Sequence, residues 1–292
     1  MFHGSIVALV TPMDSRGQID YEALSGLVEL HLREETDAIV VAGTTGESAT
    51  LTVTEHSQCI RHVVTQVAGR IPVIAGSGAV STAQSIVLSQ AAKAAGADAC
   101  LLMAPPYVKP TQEGLFLHYR EIANAVAIPQ ILYNVPGRTV SDILPETVAR
   151  LAKLPNIVGI KEASGNFERA KIILEYCGDK IDLYSGDDIL AKDTILQGGK
   201  GVISVTANIV PKACHLMCQY ALAKKQEQAT TIHDQLAPLH KLLFVESNPI
   251  PVKWALYRLG LIPIGIRLPL TPLSDGLQSP IEAAMKAIGV IS

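Results

Sequence analysis

Charge is scarce in this chain of 292 residues: 17% are Asp, Glu, Lys or Arg, against 48% hydrophobic. A disordered polymer needs the opposite balance, so that class is excluded. The few charges nearly cancel, 24 basic against 27 acidic for a net −3, and no basic run occurs. Nothing in that balance draws the chain to a phosphate backbone, and no nucleic-acid partner is expected. Long apolar stretches are missing as well. Mean hydropathy is +0.29, yet no run approaches the roughly 20 residues of a membrane span. The opening MFHGSIVALVTPM has no basic region and only a short apolar run. It reads as a first strand and not as a signal peptide.

Cysteine is sparse and odd in number: Cys59, Cys100, Cys177, Cys214 and Cys218. Wide spacing without an export signal fits reduced thiols and a cytoplasmic location. Cys214 and Cys218 fall one helical turn apart, but a zinc site needs about four ligands and no second Cys/His pair is close. No metal is expected. Neither a dinucleotide fingerprint nor the lysine and spacing of a P-loop is present.

What is present is a rhythm. Eight β-rich runs recur: Ser5–Pro12, Ala38–Gly43, Pro72–Gly78, Ala99–Pro105, Gln130–Pro136, Ile157–Ala163, Asp182–Asp188 and Gly201–Ala207. Both parities are apolar, as strands covered on two faces require. Helical patterns lie between them. Thr52…Glu55 and Ser81…Gln84 match capping boxes, Gly96 suits a C-terminal cap, and Pro145 suits a first turn. Strand–helix alternation repeated eight times predicts an α/β fold, a (β/α)8 TIM barrel over residues 1–224. A doubly wound open sheet is the rival. After Ala207 helices follow one another near Pro211–Lys225, Glu227–Phe244, Ile250–Leu259 and Pro280–Ile288. The first closes the eighth unit, and 225–292 forms a C-terminal helical extension.

In such barrels chemistry sits at the C-terminal ends of strands. Lys161, in Ile157-Val158-Gly159-Ile160-Lys161-Glu162-Ala163, is costly to bury charged. On strand parity it shares a face with Ile157 and Gly159, whose missing side chain leaves room. Desolvation would lower its pKa and yield an amine able to form a Schiff base. The other reading is a lysine paired in a structural ion network. Lys200 precedes its strand, Lys253 lies in the extension and Lys109 in a loop, so these are weaker candidates. Tyr133 is either a proton relay above Lys161 or a core tyrosine. Thr44-Thr45, between glycines, either receives a small carboxylate or makes a plain turn. Arg138 either pairs with a carboxylate or is solvated.

Together these segments resemble the dihydrodipicolinate synthase family along essentially the whole chain. Gly43-Thr44-Thr45-Gly46-Glu47-Ser48, Tyr133-Asn134-Val135-Pro136-Gly137-Arg138-Thr139 and Gly159-Ile160-Lys161-Glu162-Ala163 carry the likeness. Ser185-Gly186-Asp187-Asp188, Gly201-Val202-Ile203-Ser204-Val205 and Asn248-Pro249-Ile250-Pro251-Val252-Lys253 add to it. The resemblance implies a class I aldolase-type lyase of lysine and diaminopimelate biosynthesis. It condenses pyruvate with L-aspartate 4-semialdehyde through an imine on Lys161, without a metal or organic cofactor. It further implies that Thr44, Thr45, Gly186 and Ile203 hold pyruvate and that Arg138 holds the semialdehyde. Tyr133, Thr44 and Tyr107 would relay protons, Tyr107 reaching in from the neighbouring subunit of a homotetramer built of tight dimers. Two alternatives are an N-acetylneuraminate lyase or related 2-keto acid aldolase, which usually lacks the arginine, and a non-catalytic barrel binding a small acid.

One departure bears on regulation. Ser48, Ala49 and His56 match the site where lysine-inhibited members bind lysine, whereas Val53, Val80, Gln84 and Pro106 replace His, Asn, Glu and Tyr. Gln84 lacks a carboxylate for an amino group. A hydrogen bond to a charged group is worth about 1.5–3 kcal/mol, so affinity falls about 10- to 150-fold. Lysine is expected to inhibit weakly or not at all, and inhibition at sub-millimolar lysine in a steady-state assay would overturn this.

Overall fold

Eight parallel strands close on themselves, each bonded to the next and the last to the first. The computed structural model describes residues 1–291. In chain order the elements are β1 (Gly4–Ala8), α1 (Tyr21–Arg33), β2 (Ala38–Val41), α2 (Val53–Val67), β3 (Val73–Gly76), α3 (Thr82–Ala94), β4 (Ala99–Met103) and α4 (Gln112–Ala125). There follow β5 (Gln130–Asn134), the short α5 (Pro136–Thr139), α6 (Pro145–Leu151), β6 (Ile157–Glu162), α7 (Phe167–Cys177), β7 (Asp182–Ser185), α8 (Asp188–Leu196) and β8 (Gly201–Ser204). Four helices end the chain: α9 (Pro211–Leu222), α10 (Gln226–Leu242), α11 (Ile250–Arg258) and α12 (Asp275–Ala287).

Alternation sorts the strand side chains into two layers. Ile6, Ala8, Ala38, Val40, Ile74, Ala99, Leu101, Ile131, Tyr133, Tyr184 and Ile203 pack inside the barrel. Val7, Ile39, Val41, Val73, Cys100, Leu102, Leu132, Ile160 and Leu183 face the helices. Ile157 lies in the outer layer too, so the expectation that it shares a face with Lys161 is corrected. Between Gln130 and Ile131 the β5–β6 register shifts, pairing Ile131 with Gly159 and leaving Val158 as an extra residue. Such a bulge reverses parity locally.

All eight strands lie where expected but stop one to four residues earlier, because the chain bends away into the loops that build the site. The Thr52–Glu55 capping box is complete; at Ser81 the side chain accepts from the Gln84 N–H, without a reciprocal bond among the described residues. Gly96 follows α3 with φ +93°, and Pro145 opens α6. α12 begins at Asp275, ahead of the expected Pro280. The proline forfeits one helical hydrogen bond near the helix start. Ile281, Ala284 and Met285 keep the buried stripe continuous.

The extension shares the barrel's outer core through Leu236, Leu239, Val252, Trp254, Ile281 and Met285. The strap after α11 crosses the β1 and β2 loops. Arg267 donates to the carbonyls of Gly17 and Thr50, both at 2.8 Å, and forms a two-pronged pair with Glu55 at 2.5 and 3.0 Å. The Arg267 guanidinium holds the Glu55 carboxyl down at about 2. A depressed carboxyl stabilises the fold above its unfolded value, and that contribution is lost as pH falls through the folded value. Glu55→Gln is expected to cost about 1–3 kcal/mol at pH 7. Urea unfolding should show this gap closing between about pH 4.5 and about pH 2.

Candidate active site

The barrel's upper mouth collects the candidate residues because every parallel strand ends there. Lys161 is the penultimate residue of β6 and points into the barrel. In register it lies between Tyr133 on β5 and Tyr184 on β7. The lysine is 6% exposed, and its Nζ stands 4.4 Å from the centre of the Tyr133 ring. This is cation–π distance. Among the described residues Lys161 has no ion pair and no hydrogen bond, so the structure does not hold it in an ion network.

Two glycines shape its surroundings, in different ways from the expectation. The space at Gly159 is filled by Tyr184: a Cβ there would lie 2.8 Å from Cε2 of that ring. Tyr184 is fully buried, and its hydroxyl points down to Asp182 at 3.1 Å. Gly186 makes the room for the lysine, since a Cβ there would lie 3.0 Å from Cε of Lys161 and 2.4 Å from the Ala163 Cβ. Asp187 follows, half-buried near Lys161. Burial pushes its carboxyl up, and the lysine's charge opposes that shift.

Glu162, one residue after the lysine, faces the other way. It accepts from Asn134 at 3.1 Å, Arg169 at 3.2 Å and the Ser164 N–H at 2.8 Å. Arg169 also pairs with Asp142 at 2.9 Å. The carboxylate adjacent in sequence is therefore consumed outside the barrel and leaves Lys161 alone.

Across the mouth, Thr44 and Thr45 occupy the turn after β2. Thr44 is half-buried and Thr45 buried. Thr11 anchors the turn through the Gly46 carbonyl at 2.7 Å. Asn248, between α10 and α11, grips two of the candidates. Its Nδ2 donates to Thr45 Oγ1 at 2.9 Å, and its carbonyl accepts from Arg138 Nη2 at 3.1 Å. Its Oδ1 is buried without a hydrogen-bond partner among the described residues, which leaves it open to a donor. Sequence reasoning placed Asn248 in a matching segment but gave it no role. An asparagine 203 residues from its threonine partner carries no local signal.

Ile203, on β8, is fully buried in the inner layer. Tyr107 is 88% exposed with φ +75°, and within one chain it makes no hydrogen bond to Tyr133, Thr44 or Lys161. Its N–H is held by the Thr139 carbonyl at 3.2 Å. All five cysteines are free and buried. Burial pushes the thiols of Cys214 and Cys218 well up, and no group of three metal-ligating side chains occurs among the described residues. Gly186→Ala is expected to displace the Lys161 side chain and slow covalent capture of a 2-oxo acid about tenfold or more, read as the rate of borohydride-trapped adduct.

Comparison with known proteins identifies the family of the chain. The model of the dihydrodipicolinate synthetase family matches residues 1–288. A 4-hydroxy-tetrahydrodipicolinate synthase of Pseudomonas aeruginosa is 60% identical over 292 residues, all of both chains. Among solved structures, a chloride-inhibited dihydrodipicolinate synthase from Acinetobacter baumannii, complexed with pyruvate, superposes with a TM-score of 0.99 at 52% identity over all of both chains. The dihydrodipicolinate synthase from Aquifex aeolicus gives 0.97 at 43% identity, covering 99% of each chain. With the fold and these likenesses in agreement, the chain belongs to the dihydrodipicolinate synthetase family.

Proposed function

We propose that this protein is a 4-hydroxy-tetrahydrodipicolinate synthase that joins pyruvate to L-aspartate 4-semialdehyde through Lys161. The observation that carries the assignment of the nucleophile is a buried amine without a carboxylate partner at the end of a barrel strand. The amine adds to the keto carbon of pyruvate, and loss of water gives an imine. The imine withdraws electrons from the neighbouring methyl group, which surrenders a proton and leaves an enamine. The enamine carbon attacks the aldehyde of the second substrate, and the new oxyanion takes up a proton. The amino group of that substrate then attacks the imine carbon. Ring closure expels the lysine amine and frees the enzyme.

Thr44 and Thr45 hold the pyruvate carboxylate, beside Gly186 and Ile203. Tyr133, with its ring against the lysine, passes protons through Thr44 to Tyr107. Arg138 receives the carboxylate of the semialdehyde as a fork. The free Oδ1 of Asn248 suits that substrate's amino group. No metal or organic cofactor takes part, because the imine itself is the electron sink. Residues 1–224 carry the chemistry and 225–292 support it.

The assembly is a homotetramer made of two tight dimers, in which Tyr107 enters the neighbour's site. Its exposure, with Val108 at 53%, Val80 at 46% and Val53 at 49%, supports a covered face there. No helix among the described residues is long and apolar enough to cross a membrane. The protein works in the cytoplasm.

Incubation with pyruvate and borohydride is expected to add mass to the Lys161 peptide, and to do so in no sample of Lys161→Ala. An unmodified peptide in the wild type would refute the assignment. Tyr133→Phe is expected to lower kcat by about 10²–10⁴-fold, the usual worth of a positioned proton carrier. A kcat within threefold of the wild type, measured in a coupled assay with the semialdehyde, would remove it from the relay.

A further inference from the structure

The buried pair of Glu47 and Lys253 stands apart from the groups assigned to the reaction. The Glu47 side chain is fully buried and that of Lys253 is 4% exposed. Lys253 Nζ donates to Glu47 Oε1, and the Arg267 N–H donates to Glu47 Oε2 at 3.1 Å. Both carboxylate oxygens are thus held by the C-terminal extension. Glu47 is also part of the threonine turn. Its own N–H donates to the Thr44 carbonyl at 3.0 Å, and its carbonyl accepts from the Thr50 N–H at 2.9 Å. Its φ of +57° is a left-handed conformation that a residue other than glycine keeps only under constraint.

A buried ion pair gains little stability over apolar side chains of the same volume. What it does fix is distance and direction. Lys253 lies in the first half of α11, and its N–H is bonded to the Pro249 carbonyl at 3.0 Å. The helix that carries Lys253 therefore begins beside Asn248, the residue gripping Thr45. One rigid element holds the turn at two points, at the Thr45 hydroxyl and at the Glu47 carboxylate.

We propose that Glu47 and Lys253 are positioning residues that set the Thr44–Thr45 turn for pyruvate capture. The proposal rests on the reading of Lys161 and the threonines given above. Neither residue touches substrate; each acts through the turn. Loss of the Lys253 ammonium leaves Glu47 with an unpaired buried charge, so the side chain must seek water and carry the turn with it.

Pyruvate is titrated against wild type, Lys253→Met, Lys253→Arg, Glu47→Gln and Arg258→Ala, a control that breaks only the surface pair with Glu282. Borohydride-trapped mass on the Lys161 peptide is read well below each melting midpoint. Half-saturating pyruvate is expected to rise about tenfold or more in Lys253→Met. Lys253→Arg, which keeps the charge, should recover most of that loss, and Arg258→Ala should match the wild type. A purely structural role would lower the melting midpoint without moving half-saturation, and that result overturns the proposal. If Lys253→Met does not fold, Glu47→Gln carries the test, because it keeps the volume and one acceptor oxygen: a rise supports the proposal and no change overturns it. A wild type that traps no pyruvate overturns the functional reading and this proposal together. Equal trapping in wild type and all variants overturns positioning alone.

Discussion

A single amine inside the barrel, kept from bulk water and from any direct ion pair among the described residues, is the constraint around which the upper mouth is arranged. Its neighbours each remove one competing fate. Tyr184 fills the space below, and its hydroxyl is tied to Asp182. Gly186 opens the flank along which the lysine stem runs. Glu162 is turned outward by strand alternation and absorbed by Asn134 and Arg169. The Tyr133 ring faces the lysine nitrogen at 4.4 Å. A protein pays for such a buried, unpaired group in stability, which is why its presence at a strand end points to chemistry.

Much of this was legible in the residues. Eight strands could be counted because β-branched runs alternate with capped helices, and the position of Lys161 followed from the strand that holds it. Strand ends were read too long, since Pro12, Gly43 or Ala207 continue an apolar run while the backbone has already turned away. The β6 bulge left no trace in composition. It places Val158 out of step and sends Ile157 to the outer layer, a pairing decided by β5 and not by β6 alone. The same blindness credited the lysine's room to Gly159, because whether the space there is already filled depends on Tyr184 of the neighbouring strand.

The extension was harder still. Its helices were found, but their hold on the barrel depends on contacts across most of the chain. Arg267 to Glu55 and Asn248 to Thr45 each span more than 200 residues, at separations of 212 and 203. Periodicity reports local order and is silent about such pairs.

The Glu47–Lys253 contact joins residues 206 positions apart. Contacts of such long range form late, after much of the chain is available. During synthesis on the ribosome, all eight strands emerge before the helix that braces the threonine turn. A nascent barrel can thus assemble its walls while the mouth is still unset, until the α11 segment follows β8 off the ribosome.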